Sequence, residues 1–297
     1  MKQQFRIDLH MHSTISDGTD SPEEIISHVR DAGITFFALS DHDSLKGCGI
    51  IRSLLEKPEA KEEPALRFVN GVEFSCRDEL GKYHILGYGY DPEGASISAL
   101  AQKGHSLRMN KLRARLEFIR SSFGFDFPKE EVDRLFALDN PGKPHIGNLM
   151  VKYGYADSKE SAIRDYLDQL HLKSEYVRPE EAVSAIIGSG GIPVLAHPFF
   201  GSGDQLIVGD EMNERLKRLT GFGLQGVESY YSGFTPKLIK EMLAFAEHYD
   251  LYTTAGSDYH GKNKLVVLGD TGLPADEPLP KRLVSFIEEL EAGKRVL

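Results

Sequence analysis

Cysteine is scarce in this 297-residue chain, tryptophan is absent, and no apolar run approaches the length of a membrane span. With only Cys48 and Cys76, a disulfide framework is not expected, and a reducing cytoplasm suits the composition best. The opening MKQQFRIDLH has no apolar core of the signal-peptide kind, so neither secretion nor a membrane partner is expected. No internal repeat or low-complexity tract is visible. Positive charge is in deficit: 35 Lys and Arg face 45 Asp and Glu, a formal net charge of −10. A field of that sign disfavours loose attraction to nucleic acid or an anionic membrane. The missing tryptophan by itself excludes nothing.

What is present suits a soluble globular protein with a sizeable core, 40% hydrophobic and 27% charged. Near the start, Arg6, Asp8, His10 and His12 alternate with the apolar Ile7, Leu9 and Met11. Alternation of this kind marks a strand, and it puts His10 and His12 on one face, where both imidazoles can reach a common cation. A His-X-His pair is short, and two surface histidines would read the same way. The rest of the chain decides.

Ser21, Pro22, Glu23 and Glu24 open a helix that Gly33 closes. An apolar run from Ile34 to Leu39 then ends in Ser40-Asp41-His42-Asp43. Gly191 to Ala196 leads likewise into His197-Pro198, and Leu251 to Ala255 leads into Asp258-Tyr259-His260. Near-continuous apolar strands separated by helices predict a parallel α/β sheet covered on both faces. In such sheets the active site lies at the carboxyl ends of the strands, where these polar residues fall. Residues 96–178 break the alternation. A helix with Met109, Leu112, Leu116, Ile119 and Phe123 on one stripe is predicted over 97–123, with further helices near 145–153 and 158–172. Three helices with no strand between them predict an inserted helical subdomain at 96–178, flanked by α/β segments at 1–95 and 179–297.

The polar residues at strand ends are His10, His12, Asp17, His42, His197, Asp258 and His260. Glu73, after the strand-like Leu66 to Val69, and His84, in an alternating segment, join them. Nine nitrogen and oxygen ligands exceed what one tetrahedral ion needs. Imidazole and carboxylate suit zinc, manganese or iron. Close cations would lower the pKa of a shared water and generate hydroxide at neutral pH, so a metal-activated hydroxide rather than a side chain is the expected nucleophile.

The combination of His-X-His with a downstream Asp, a strand ending in Asp-His, a strand ending in His-Pro, and Asp-X-His near the end resembles the PHP (polymerase and histidinol phosphatase) family of metal-dependent phosphoesterases. The resemblance covers about 1–95 and 179–297. It implies a distorted (β/α)7 barrel and two to three divalent ions. It also implies that Glu73 bridges two of them, with His10, His12 and Asp258 on the first and His84 and His197 on the second. Asp17, His42 and His260 would hold a third. Amidohydrolases also begin with His-X-His on a barrel strand, but Asp41-His42, Glu73 and the terminal Asp-X-His favour PHP. A non-enzymatic nucleotide-binding module would be expected to have lost ligands, and none of the nine is missing.

The helix after Gln102 carries Lys103, Arg108, Lys111, Arg113, Arg115 and Arg120 against Glu117. Arg108, Lys111 and Arg115 share one arc, which is either a solvated flank or a lid whose cations grip a second phosphate. An inserted helical domain resembles the PHP subgroup of nucleoside 3′,5′-bisphosphate phosphatases and 5′–3′ exoribonucleases. Gly142-Lys143-Pro144-His145 resembles that subgroup's Pro-His segment, which implies that His145, with Arg108, Lys111 and Arg115, contacts substrate. The expected activity is phosphoric monoester hydrolysis, foremost of the 3′-phosphate of a nucleoside 3′,5′-bisphosphate. Exonucleolysis of short RNA and histidinol-phosphate hydrolysis are the alternatives. His28, His105, His171 and His248 read as surface residues, and Cys48 and Cys76 as small buried ones. Tyr230, Tyr231 and Ser232, at another strand end, either line the pocket or pack against it.

Overall fold

The computed structural model describes residues 6–57, 65–170, 176–201, 205–274 and 277–297. Seven strands follow one another around a sheet in sequence order: β1 (Ile7–Asp8), β2 (Phe36–Leu39), β3 (Arg67–Asp78), β4 (Gly81–Tyr88), β5 (Ile192–Leu195), β6 (Gly226–Tyr231) and β7 (Tyr252–Gly256). The sheet nearly closes on itself, because the Leu9 amide donates to the Ala255 carbonyl and Met11 bridges Tyr259. A seven-stranded α/β barrel is therefore the fold.

The sheet is not all parallel as the apolar runs predict. β4 pairs antiparallel with both β3 and β5, while every other pair is parallel. The cause is the connection. β3 runs on through Glu73 to Asp78, and only Glu79 and Leu80 separate it from β4. Two residues allow a hairpin, whereas a parallel return needs a crossover of a dozen or more. Glu73 consequently lies within β3, not beyond a strand end, and His84 lies in mid-strand on β4.

The outer helices begin with α1 (Pro22–Asp31), which Ser21 and Glu24 cap reciprocally, and α2 (Lys46–Leu55). After β4 comes α3 (Ala95–Phe123), followed by α4 (Lys129–Ala137), α5 (Lys143–Lys152) and α6 (Lys159–Asp165). A 3-10 turn at Leu167–Gln169 follows, and the predicted extension to residue 172 lies outside the described residues. The α4 helix was not predicted. Its nine residues are bounded by Pro128 and the extended Leu138, too short for a periodic stripe to stand out. Then come α7 (Pro179–Gly188), α8 (Gly209–Phe222), α9 (Pro236–His248) and α10 (Lys281–Ala292).

The helix α3 belongs to two cores. Ile97, Leu100 and Leu107 pack with the barrel's outer layer, whereas Met109, Leu112 and Ile119 pack with Leu135, Ile146 and Met150 of the following helices. The changeover falls at Arg108. The predicted stripe from Met109 to Phe123 lies in this second core.

Candidate metal centre

Side chains from all around the barrel converge at one mouth. His10 and His12 follow β1, where the chain stays extended beyond the two residues of regular strand, and their rings lie 5.3 Å apart on the inner side. Glu73 reaches in from β3, fully buried between five imidazoles. Its Oε1 lies 3.4 Å from His10 Nε2, 2.9 Å from His84 Nδ1 and 3.2 Å from His197 Nε2. Its Oε2 lies 3.3 Å from His12 Nε2 and 3.0 Å from His42 Nδ1. Asp258 Oδ1 is 3.5 Å from Nε2 of both His10 and His12. Asp17 Oδ1 is 3.3 Å from His260 Nε2 and 3.7 Å from His12 Nδ1. His42 stands between the groups, its Nε2 3.9 Å from Asp17.

All nine predicted ligands thus meet in one cluster. Three sets in it could each hold a cation: His12, Asp17, His42 and His260; His10, His12 and Glu73; His42, Glu73 and His84. Nitrogen and oxygen atoms bound tetrahedrally at about 2.1 Å from one zinc stand roughly 3.4 Å apart, close to the spacings seen. The donors also lack other uses. His10 Nε2, His12 Nε2, Asp17 Oδ1 and His42 Nδ1 are buried with no hydrogen-bond partner among the described residues. An unpaired buried polar atom is costly, and a shared cation removes that cost for all of them.

The electrostatics agree. Burial alone would raise the Glu73 and Asp258 pKa values. The imidazoles facing them, His84, His42 and His10 on Glu73 and His10 and His12 on Asp258, hold both well below the carboxylate range. Burial opposes charge on His12 and His10 too, yet the Asp258 and Glu73 carboxylates lift His12 to about 9, and Glu228 and Glu73 raise His10 well above the imidazole range. His84 and His260 go the other way, to about 4, with burial the leading cause. The cluster demands positive charge, and divalent cations answer that demand.

Residues outside the predicted ligand set support these donors. Glu228, buried within β6, accepts from His10 Nδ1–H at 2.9 Å and from the His197 amide at 2.8 Å. That contact sets the His10 tautomer and leaves Nε2 free to bind a cation. Gly256 permits it, since a Cβ there would lie 2.2 Å from His10 Cβ and 2.4 Å from Glu228 Oε1. Asp41 accepts from the Ser13 amide and from Ser13 and Ser16 hydroxyls, holding the loop that carries Asp17. Tyr231 and Lys264 both donate to Asp258 Oδ2, at 2.9 and 2.6 Å. Glu228 carried no local signal, because it lies inside β6 and serves a histidine 218 residues away. Backbone strain gathers here as well: His197 and Asp258 have φ of +28° and +59°.

The predicted substrate residues lie beside this cluster. A cleft of about 560 Å³ is lined by His84 and Asp43 together with Arg108, Lys111, Arg115 and Tyr176. Lys111 Nζ sits 3.5 Å over the Tyr176 ring. Burial lowers the Lys111 pKa to about 8, and Arg108 and Arg115 add to that effect. His145, half-buried in the first turn of α5, accepts from the Gly142 amide at Nδ1, which leaves the proton on Nε2. Its pKa is lowered by burial, against the pull of Asp17.

Among the other histidines, His248 is exposed and His28 partly so, whereas His105 is half-buried, its Nδ1–H donating to the Asp139 carbonyl at 2.7 Å. Helical spacing did not reveal that the α4–α5 linker covers His105. His171 lies outside the described residues. Cys48 and Cys76 are buried free thiols. Tyr230 packs in the core, while Ser232 donates to the Ser257 carbonyl. No described helix is long and apolar enough to cross a membrane.

A nearly closed barrel with a buried imidazole–carboxylate cluster at one mouth defines a metal-dependent hydrolase. The family model described as the PHP domain matches residues 8–177, and the chain belongs to that family as a PHP-type phosphoesterase. It is similar to a 3′,5′-nucleoside bisphosphate phosphatase of Chromobacterium violaceum, 29% identical over 96% of each chain. It is also similar to a 5′-3′ exoribonuclease of Haemophilus influenzae, 27% identical over 93% of this chain and 97% of that one. Among solved structures, a metal-dependent phosphoesterase of Bifidobacterium adolescentis superposes with a TM-score of 0.77. It is 27% identical and covers 97% of this chain and 96% of that one.

Proposed function

We propose that this protein is a phosphatase that removes the 3′-phosphate from a nucleoside 3′,5′-bisphosphate. The observation that carries this reading is the cationic cleft opening directly beside the ligand cluster. Arg108, Lys111 and Arg115 line the same space as His84, so a substrate with one phosphate at the cluster can present a second to these cations. The Chromobacterium relative, which bears that activity in its name, aligns over nearly the whole chain.

In this reading His10, His12 and Asp258, His84 and His197, and Asp17, His42 and His260 would hold divalent cations, and Glu73, which faces five of these imidazoles, would contribute to more than one. Bound cations would supply Lewis acidity toward phosphate oxygens and bring the pKa of water near neutrality. The chain's own residues do the rest. Glu228 keeps His10 in the tautomer a cation needs and fixes the His197 backbone. Arg108 and Arg115 offer planar donors to the second phosphate, and Lys111 offers a compact charge. His145 presents a neutral Nε2–H donor. The Tyr176 ring holds the Lys111 ammonium over its face at the cleft wall.

A second reading, exonucleolysis of short RNA, draws on Arg77 and Lys82, which the β3–β4 hairpin adds to the same cleft. The Haemophilus relative carries that activity in its name. Phosphate release by metal-loaded protein tests both. The panel is nucleoside 3′,5′-bisphosphates, nucleoside monophosphates, histidinol phosphate and 5′-phosphorylated oligoribonucleotides. The reading requires fastest turnover on the bisphosphates. Turnover of histidinol phosphate alone would overturn it, and dominant release of mononucleotides from RNA would establish the second.

A further inference from the structure

Arg108 stands where α3 leaves the barrel's outer layer for the second core, and the barrel holds it there. Asp43, the residue after His42, is buried with a φ of +50°, a conformation that costs most side chains but that Asp and Asn tolerate. That backbone turns its carboxylate onto α3. Oδ2 accepts from Arg108 Nε at 2.7 Å, and Oδ1 accepts from the Ser75 amide at 3.2 Å. The Ser75 hydroxyl in turn accepts from Arg108 Nη2 at 2.9 Å. Two contacts from the barrel therefore grip one guanidinium, and Nη1 has no partner among the described residues, on a side chain that lines the cleft.

The helix backbone approaches Asp43 closely as well. Gly104, one turn before Arg108, is so near that a Cβ would lie 2.9 Å from Asp43 Cβ and 3.0 Å from its Oδ1. The loop before α5 adds a third tie, since the Asn140 side chain donates to the His42 carbonyl. The same short segment thus presents the His42 imidazole to Glu73 and anchors the helical wall.

We propose that Asp43 is a positioning residue that aims Arg108 at the non-reacting phosphate and locks the α3 wall beside the metal centre. This deepens the reading of Arg108 as a phosphate contact and rests on it. An Arg side chain has much rotamer entropy to lose, and a guanidinium fixed beforehand loses less of it on binding. Charge matters too. Asp43 is the one carboxylate lining the cleft among the described residues, and its contact with Nε leaves the other edge of the fork for substrate.

The test compares Asp43→Asn, Arg108→Ala, their double variant and Gly104→Ala, all as metal-loaded full-length protein. The Asn side chain keeps the backbone conformation. Its single oxygen cannot serve both Arg108 and the Ser75 amide, and it carries no charge. Asp43→Asn is expected to raise KM for a nucleoside 3′,5′-bisphosphate about tenfold, with a much smaller change in kcat. Preference over p-nitrophenyl phosphate, which has no second phosphate, should fall by the same factor. It should add nothing in the Arg108→Ala background. Gly104→Ala, which pushes the helix away, should reproduce the KM effect. A purely structural role would instead lower the activity on both esters together with bound metal, and that result overturns the proposal. So does full additivity of the two variants.

The reading beneath it fails separately. Should the wild type hydrolyse neither ester, the phosphatase assignment falls, while calorimetric binding of the bisphosphate still judges Asp43. A weaker Kd in Asp43→Asn supports the positioning role, and an unchanged Kd rejects it.

Discussion

The barrel mouth and the helical wall beside it present opposite solutions to holding charge. At the mouth the candidate ligands are short: imidazoles and carboxylates, most of them buried, delivered by six of the seven strands or the segments that follow them. Each has few rotamers to lose and a backbone pinned by the ladder. On the wall the side chains are long, half-exposed Lys and Arg along one helix. Their positions depend on whatever grips them. The difference teaches where precision comes from. The mouth inherits it from strand geometry, whereas the wall borrows it from the barrel through Asp43 and Arg108.

The largest expected effect attacks the mouth. His10→Ala removes a donor facing both Glu73 and Asp258, and phosphate release should drop about a thousandfold, the scale of ~4 kcal/mol of lost transition-state stabilisation. Bound metal, measured by mass spectrometry, should drop with it. Full turnover by that variant would remove His10 from the centre. Glu228→Gln sits one contact further out. Metal titration is expected to show affinity weakened by about 10 to 100-fold, because the Gln amide no longer accepts with charge from His10. Unaltered affinity would reduce Glu228 to a packing role.

The wall should answer to pH through Lys111. Burial lowers the Lys111 pKa to about 8, against about 10.4 in an unfolded chain. As pH rises through 8 the folded protein loses that cation, and KM for a bisphosphate should climb about tenfold, the scale of one charge-assisted hydrogen bond. Stability moves oppositely. Between about pH 8 and 10.4 the unfolded chain binds more protons at this site, so its contribution to folding stability improves as pH rises. Lys111→Arg should flatten the KM profile, and a profile that persists in it would assign the titration elsewhere. The smallest effect is Ser21→Ala, which opens the capping box of α1 far along the chain from the wall. Urea unfolding should show a loss of about 1 kcal/mol, with metal content and KM unmoved.

The candidate ligands were most legible in the sequence where they fall at strand ends. His10, His12, His42, His197, Asp258 and His260 each close or follow an apolar run, so local pattern alone exposed them. Glu73 and His84 were found less directly, inside strands whose antiparallel pairing the apolar runs did not predict. Glu228 and Asp43 looked like ordinary acids. Nothing local marks an acid that serves a histidine 218 residues away, or one that grips an arginine 65 residues on.

The amino-acid order by itself therefore determined the chemistry: which donor types exist, that they cluster at one end of an α/β array, and that a basic helical segment interrupts it. Those properties follow from side-chain type and local periodicity, which need no partner to be expressed. Only the tertiary structure decided the direction of β4, the division of α3 between two cores, and the supporting contacts of Glu228, Lys264 and Asp43. These depend on distances between residues far apart in the chain. Such distances are set by barrel closure and packing, and no local window of sequence contains them.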